Sequence, residues 1–334
     1  MDGENGCPST PAPGTESGAE SAGLRKKPFV VNFTAADLVR MKTPLTHPIA
    51  PLPATINIHL TRLCNFGCRY CYAEFRETGA VQIGRTEMFA ILDAIAENHH
   101  TGTQPRKVNF AGGEPFLYRD LPELIAYSKK LDLTTSAVTN GSLLNGELMS
   151  RLDGCLDMLA LSVDSINPET NRQIGRHGRG TPPDFDDCMR LAELVHRAGI
   201  RLKINTVVNR LNLNENIGAQ IAALSAFRWK IFQAKRILGQ NDLQFEQMAV
   251  STVEFHEYVA RNRRQMRSDM VIVPETADDM TDSYAMIAPN GCFFDNSRGV
   301  YRYSRPILEV GLSEAFRDVE FNADKFVKRG GLYE

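Results

Sequence analysis

Three cysteines, Cys64, Cys68 and Cys71, stand within eight residues of a 334-residue chain. Thiolates are soft ligands suited to iron–sulfur clusters and to zinc. Three of them on one short loop can hold three irons of a cubane. A zinc site would need a fourth donor, and His59 is the nearest histidine. Zinc sites usually pair their cysteines as CxxC, however, and no second pair follows. With seven cysteines in the chain, a CxxxCxxC spacing arises by chance with a probability of about 0.003, so the pattern is informative. Cys7, Cys155, Cys188 and Cys292 are scattered. An odd total with three crowded together reads as a metal pattern in a reducing compartment, not a disulfide framework. Cys155 and Cys188 are expected to pack as small apolar residues.

A second set of side chains is cationic. Lys107, Lys203, Arg228 and Lys230 lie in or beside apolar, strand-like runs. Residues two apart on a strand share a face, which pairs Arg228 with Lys230 and Lys203 with Asn205. A charge on an inner face is costly unless paired. The same segments carry no matching acid, so an anionic ligand is the expected partner. Lys328 and Arg329, followed by Gly330 and Gly331, add two cations and a flexible backbone that could fold over that anion. Further polar residues sit at the ends of apolar runs: Gly112, Gly113 and Glu114, then Asn140, Ser162, Arg176 and Asn205. Any of the last four could equally be a helix cap or a satisfied core group.

The elements that must position these residues alternate. Strands are expected at 56–60, 107–110, 134–139, 158–162, 202–208 and 229–237. Amphipathic helices are expected at 86–98, 121–131, 185–198 and 215–224. Strand alternating with helix implies βα units and a largely parallel sheet. Six units fall short of the eight of a closed barrel, so the expected fold is α/β, a partial (βα)6 barrel over residues 50–238. Residues 239–334 read as a C-terminal extension closing the site, with a charged helix at 252–265 and a hairpin at Pro289-Asn290-Gly291. Residues 1–28, rich in Gly, Ser, Pro, Thr and Glu, read as a disordered tail. They lack the features of a secretory signal. The chain has no 18-residue apolar run, and its net charge of −2 does not suit nucleic-acid wrapping. A cytoplasmic enzyme with no membrane or nucleic-acid partner is expected.

The cysteine spacing, the tyrosine at position 70 and the Gly-Gly-Glu-Pro segment at 112–115 resemble the radical S-adenosylmethionine (SAM) superfamily. Seven further segments extend the resemblance to its viperin-like family. They are FAGGEPFL, TNGSLL, DSINPETNRQIGRHGRG, KINTVVNRLN, RWKIFQ, PETADDMTDSY and the terminal KRGG. The resemblance implies a [4Fe–4S] cluster on Cys64, Cys68 and Cys71, with SAM on the open iron. It implies that Gly112, Gly113 and Glu114 meet the methionine amino group and that Ser162 and Arg176 meet its carboxylate. Asn140 and Asn205 would lie near the nucleoside. Lys107, Lys203, Arg228, Lys230, Lys328 and Arg329 would then hold a ribonucleoside triphosphate, CTP by default and UTP or GTP as alternatives. The implied reaction is removal of water to a 3′-deoxy-3′,4′-didehydro nucleotide after hydrogen abstraction from C4′, with an antiviral or anti-phage role. It needs a general acid, for which Tyr284 is the candidate, and an electron donor such as flavodoxin or ferredoxin. The rival expectations are a radical SAM enzyme acting on a peptide or other small molecule, a molybdenum-cofactor enzyme, and a non-catalytic metal scaffold. The first two usually carry additional cysteine clusters, and here only Cys292 lies in the C-terminal region.

Overall fold

The computed structural model describes residues 52–75, 78, 81–100, 106–266 and 269–332. The expected tail at 1–28 lies outside them. The first strand, β1 (Thr55–His59), leads through the cysteine loop to α1 (Arg85–His100). Five βα repeats follow the same plan: β2 (Lys107–Ala111) and α2 (Leu121–Lys130), β3 (Thr134–Thr139) and α3 (Gly146–Leu152), then β4 (Met158–Ser162) with α4 (Pro168–Ile174) and α5 (Phe185–Arg197). After these come β5 (Arg201–Val208) and α6 (Gly218–Ala223), and β6 (Arg228–Gln233) with α7 (Asp242–Phe245) and α8 (Thr252–Arg263). The rest comprises β7 (Val271–Glu275), β8 (Ala285–Ile287), β9 (Cys292–Asp295), β10 (Arg302–Pro306), α9 (Ile307–Val310), α10 (Leu312–Phe316) and α11 (Ala323–Lys328).

Local chemistry sets several of these boundaries. Asp184 accepts from the Asp187 backbone N–H and Asp187 from that of Asp184, a capping box that starts α5. Ser251 and Glu254 do the same for α8. Asn167 caps α4, Pro168 supplies the first-turn proline, and Gly175 ends the helix in the left-handed conformation.

The strands form one sheet in the order β10-β9-β8-β1-β2-β3-β4-β5-β6-β7. Every pairing from β8 through β1 to β7 is parallel, while β9 and β10 run antiparallel at one edge. The parallel set therefore has two strands beyond the six expected. Both come from the C-terminal region, which extends the sheet at each end and also supplies Tyr284, Tyr301, Phe326 and Arg329 to the cavity described below. Residues 285–295 form the anticipated hairpin, with Gly291 at φ 77° in its turn.

Side chains alternate across the sheet. Ile56, Ile58, Val108 and Phe110 face outward and are fully buried with Ile91 and Leu92 of α1 and Leu124 and Ile125 of α2. Each such side chain contributes roughly 1.5–3 kcal/mol of burial. The opposite faces of β1 to β6 and β8 line one shared cavity, which requires the sheet to curl. The arrangement is an open, partial barrel.

Candidate active site

Cys64, Cys68 and Cys71 all line this cavity and none is in a disulfide. The loop that carries them is braced from below by the turn after α4. Gly67 N–H donates to the Gly175 carbonyl at 3.1 Å and Arg69 N–H to Ile174 at 2.9 Å. A Cβ at Gly175 would stand 2.3 Å from the Gly67 carbonyl oxygen, so only glycine allows this approach. Beneath the loop, the Tyr70 hydroxyl donates to Asp164, and Asp164 pairs with the buried Arg176 guanidinium at 3.4 Å. Arg176 also donates to the Ser162 carbonyl and lies 5.8 Å over the Phe66 ring.

Burial pushes the Cys68 thiol up to about 11, against the pull of Arg176. Burial, then repulsion from Cys68, pushes Cys71 to about 12. Three thiolates here therefore need a cationic centre among them, which a cluster core would supply. Among the described residues no three His, Cys, Asp or Glu side chains converge as ligands of a single ion. A cubane requires no such convergence, because each thiolate binds its own iron. The residues fit the cluster.

The Gly-Gly-Glu segment also holds the cysteine loop in place. Gly113 N–H donates to Thr61 at 2.7 Å and Glu114 N–H to Leu63 at 2.8 Å, which seats the cysteine loop on the end of β2. A Cβ at Gly113 would come within 2.2 Å of the Leu63 carbonyl. Gly112 and Gly113 line the cavity, but Glu114 turns away from it. Its carboxylate accepts from the Thr139 hydroxyl at 2.7 Å, the Asn140 N–H at 2.8 Å and the Phe116 N–H at 3.3 Å. The side chain is sealed in, and burial raises its pKa.

Asn140, Ser162, Arg176 and Asn205 all lie on the cavity wall. Asn140 donates to Asn65 at 2.9 Å and stands 3.9 Å from the Cys64 sulfur. Asn205 Oδ1 is buried with no hydrogen-bond partner among the described residues.

The cations divide. Lys203, Lys230 and Arg329 line the cavity, whereas Lys107 and Arg228, on the same strand faces as Asn109 and Lys230, are buried without lining it and Lys328 is exposed. Arg228 donates instead to the Gly330 carbonyl at 2.9 Å, tying β6 to the C-terminal segment. Lys230 is not without an acid: it pairs with Glu275, fully buried at the end of β7. Its countercharge comes from the neighbouring strand, not from its own segment, so the absence of local acids was no guide. Tyr284 completes the group. Its hydroxyl accepts from Lys230 at 2.9 Å and donates to Glu275, and the Arg329 guanidinium lies 3.5 Å from its ring centroid. Burial raises the Tyr284 pKa well above its usual value, so the phenol stays protonated.

Three wall residues were assigned no part in the expected cofactor or substrate site, His59 having entered only as a possible zinc donor. His59, wedged 5.1 Å from Phe75 and 5.4 Å from Phe294, is held neutral by burial with its pKa lowered to about 4. Asn109 donates to Asn57 at 2.8 Å and leaves its own carbonyl oxygen unpartnered among the described residues. Lys235, beyond the end of β6, donates to Thr281 at 2.6 Å. The strand period of two could have singled out His59 and Asn109, since both alternate with core residues.

Fold and site together define a radical SAM protein. A family profile described as the radical SAM superfamily matches residues 58–216. Streptococcus suis SuiB bound to S-adenosylmethionine superposes with a TM-score of 0.63 at 17% identity, over 88% of this chain and 70% of that one. The anSMEcpe protein with bound AdoMet and a Kp18Cys peptide gives 0.59 at 14% identity, covering 82% of each chain. Sequence relatives narrow the class. An S-adenosylmethionine-dependent nucleotide dehydratase of Flammeovirga pacifica is 38% identical over 84% of this chain and 95% of its own. One from Psychrobacter lutiphocae is 32% identical over 84% and 96%, and the RSAD2 dehydratase of Danio rerio is 32% identical over 84% and 78%. The chain belongs to this viperin-like family of S-adenosylmethionine-dependent nucleotide dehydratases, radical SAM enzymes that use a [4Fe–4S] cluster and SAM.

Proposed function

We propose that this chain converts a ribonucleoside triphosphate, CTP first and UTP or GTP as alternatives, to its 3′-deoxy-3′,4′-didehydro analogue, beginning with hydrogen abstraction from C4′. The observation that carries the reading is the single cavity that presents three thiols together with Lys203, Lys230 and Arg329. Cys64, Cys68 and Cys71 would hold the cluster. Gly112, Gly113, Asn140, Ser162, Arg176 and Asn205, all on the cavity wall, would contact SAM, Ser162 and Arg176 at its carboxylate, with Glu114 positioning that wall from behind. Cluster and SAM together supply the one-electron chemistry that yields a hydrogen-abstracting radical.

The chain's own residues manage charge and protons. Lys203, Lys230 and Arg329 suit phosphate oxygens, with Lys107, Arg228 and Lys328 adding positive charge nearby. Loss of the 3′-hydroxyl as water needs a proton, and Tyr284 is a neutral donor on the cavity wall. Lys230, already hydrogen-bonded to Tyr284, can replace the proton that leaves. The enzyme would work in the cytoplasm with a protein electron donor and without membrane or nucleic-acid partners. The product would end chain extension wherever a polymerase incorporated it, which supports an antiviral or anti-phage role.

Anaerobic reconstitution with iron and sulfide, followed by SAM, dithionite and each nucleotide in turn, tests the reading. One triphosphate should strongly stimulate 5′-deoxyadenosine release and lose one water in mass. Cys64→Ala should lose both the cluster absorbance and the turnover. Turnover indifferent to every nucleotide would sink the substrate assignment and bring a peptide substrate forward.

A further inference from the structure

Reduction of the cluster requires a partner protein to come close to it, and the cysteine loop has two sides. Its thiols face the cavity, while Arg62, Leu63, Asn65 and Gly67 are exposed on the outside. The loop therefore lies at the surface, with Cys64 itself exposed. Leu63 is 62% exposed, a large apolar side chain in open water beside a cluster ligand. The hydrogen bond from Glu114 N–H to the Leu63 carbonyl places the 115–117 turn alongside, and Leu117 in that turn is 40% exposed. Together they make a small apolar strip.

Cations surround the strip. Arg62 precedes it and Arg119 follows it, both exposed. On the other flank Gly178 packs so closely that a Cβ there would lie 3.1 Å from the Asn65 carbonyl oxygen, and the next residue is the exposed Arg179. None of these three arginines forms an ion pair among the described residues, although twelve other arginines do. Of the carboxylates in these segments, Glu114 is sealed inside, while Asp120 is half-buried at the start of α2 and forms no ion pair with Arg119 among the described residues. Electron-transfer encounters bury little surface and rely on charge complementarity for their rate. A small apolar centre ringed by unpaired cations has that form.

We infer that the outer face of the cysteine loop, formed by Arg62, Leu63, Leu117, Arg119 and Arg179, docks an acidic one-electron donor protein of the flavodoxin class. This rests on the cluster assignment above. One electron would leave the flavin hydroquinone anion, which becomes the neutral semiquinone, and enter the oxidised cluster; no proton moves in the exchange.

The test is stopped-flow reduction of the reconstituted holoenzyme by a flavodoxin hydroquinone. The triple variant R62E/R119E/R179E should lower the second-order rate about 100-fold at low ionic strength, a difference that shrinks in 0.5 M salt on the scale of electrostatic steering. Iron content and dithionite-driven SAM cleavage should match wild type. A control of equal charge change on the remote surface, R197E/R263E/R264E, should stay within a few-fold. The proposal is overturned if the triple variant is reduced as fast as wild type, or if the control slows as much. Should the triple variant lose iron, Arg119→Glu and Arg179→Glu singly decide by the same ratio. A wild-type protein that binds no iron would instead sink the cluster assignment, before any donor is added.

Discussion

Glu275 determines what the cavity cations can do before substrate arrives. It is fully buried, pairs with Lys230, accepts from Tyr284 and stands 3.8 Å from Arg329. One carboxylate thus balances two cations, and an incoming triphosphate would compete with it for both. Glu275→Gln keeps the shape and removes the charge. Breaking a buried pair by removing one partner costs about 3–5 kcal/mol, so the free variant should melt well below wild type. The stabilisation gained on adding the nucleotide should be larger than in wild type, because the phosphates then supply the missing countercharge. Thermal scans with and without nucleotide check this, and a smaller ligand-induced shift in the variant would show that Glu275 assists phosphate binding instead of competing. The contrast with the cysteines shows what sequence can carry. Their spacing is local, so the chemistry is legible from eight consecutive residues. The Lys230–Glu275 pair joins residues 45 apart in sequence through the β6–β7 register, which no local pattern displays.

At the scale of elements, the six central strands were legible because each is a buried apolar run between helix caps. Strands β7 and β8 were not. The first carries Pro274 and half-exposed side chains, as an edge strand can, and the second has only three residues. Both are defined by pairing, not by composition. The strand expected to continue to 237 ends at Gln233, where the chain leaves the sheet to place Lys235 on the cavity wall. The C-terminal segment has the converse character: its Lys-Arg-Gly-Gly stood out, yet only one of the two cations points inward. Phe326 is buried, Arg228 holds the Gly330 carbonyl, and Gly331 sits where a Cβ would lie 2.5 Å from the Phe326 ring. These contacts deliver Arg329 to Tyr284. Removing residues 323–334 leaves β1 to β6 and the cysteine loop intact, so iron binding should persist. The KM for nucleotide should rise at least about tenfold, the loss expected from one charge-assisted hydrogen bond. An unchanged KM would mean that Arg329 never reaches the substrate.

At the scale of the molecule, the chain is nearly neutral, with 38 basic and 40 acidic side chains, but the cavity wall concentrates cations. Lys235 shows what this costs. It is buried, and burial lowers its pKa from 10.5 to about 8, while Asp282 offsets part of the penalty and Lys325 adds to it. The charged form is thus disfavoured by folding. Below pH 8 the amine is protonated in both folded and unfolded chains, and the full penalty is felt. Between pH 8 and 10.5 the unfolded chain binds the extra proton, so the stability of the wild-type protein rises with pH relative to a variant lacking the group. Lys235→Met should therefore raise the melting temperature at pH 7, and the gain should fade as pH climbs from 8 towards 10.5. Melting both proteins across that range decides the point: a gain that is absent at pH 7, or that grows with pH, would show that Lys235 is not a net cost. A wall cation that destabilises the free protein is what a site shaped for an anion retains, because active sites often trade stability for function. The same variant should then weaken nucleotide binding at pH 7, linking the stability cost of this residue to the ligand that the cavity is built to receive.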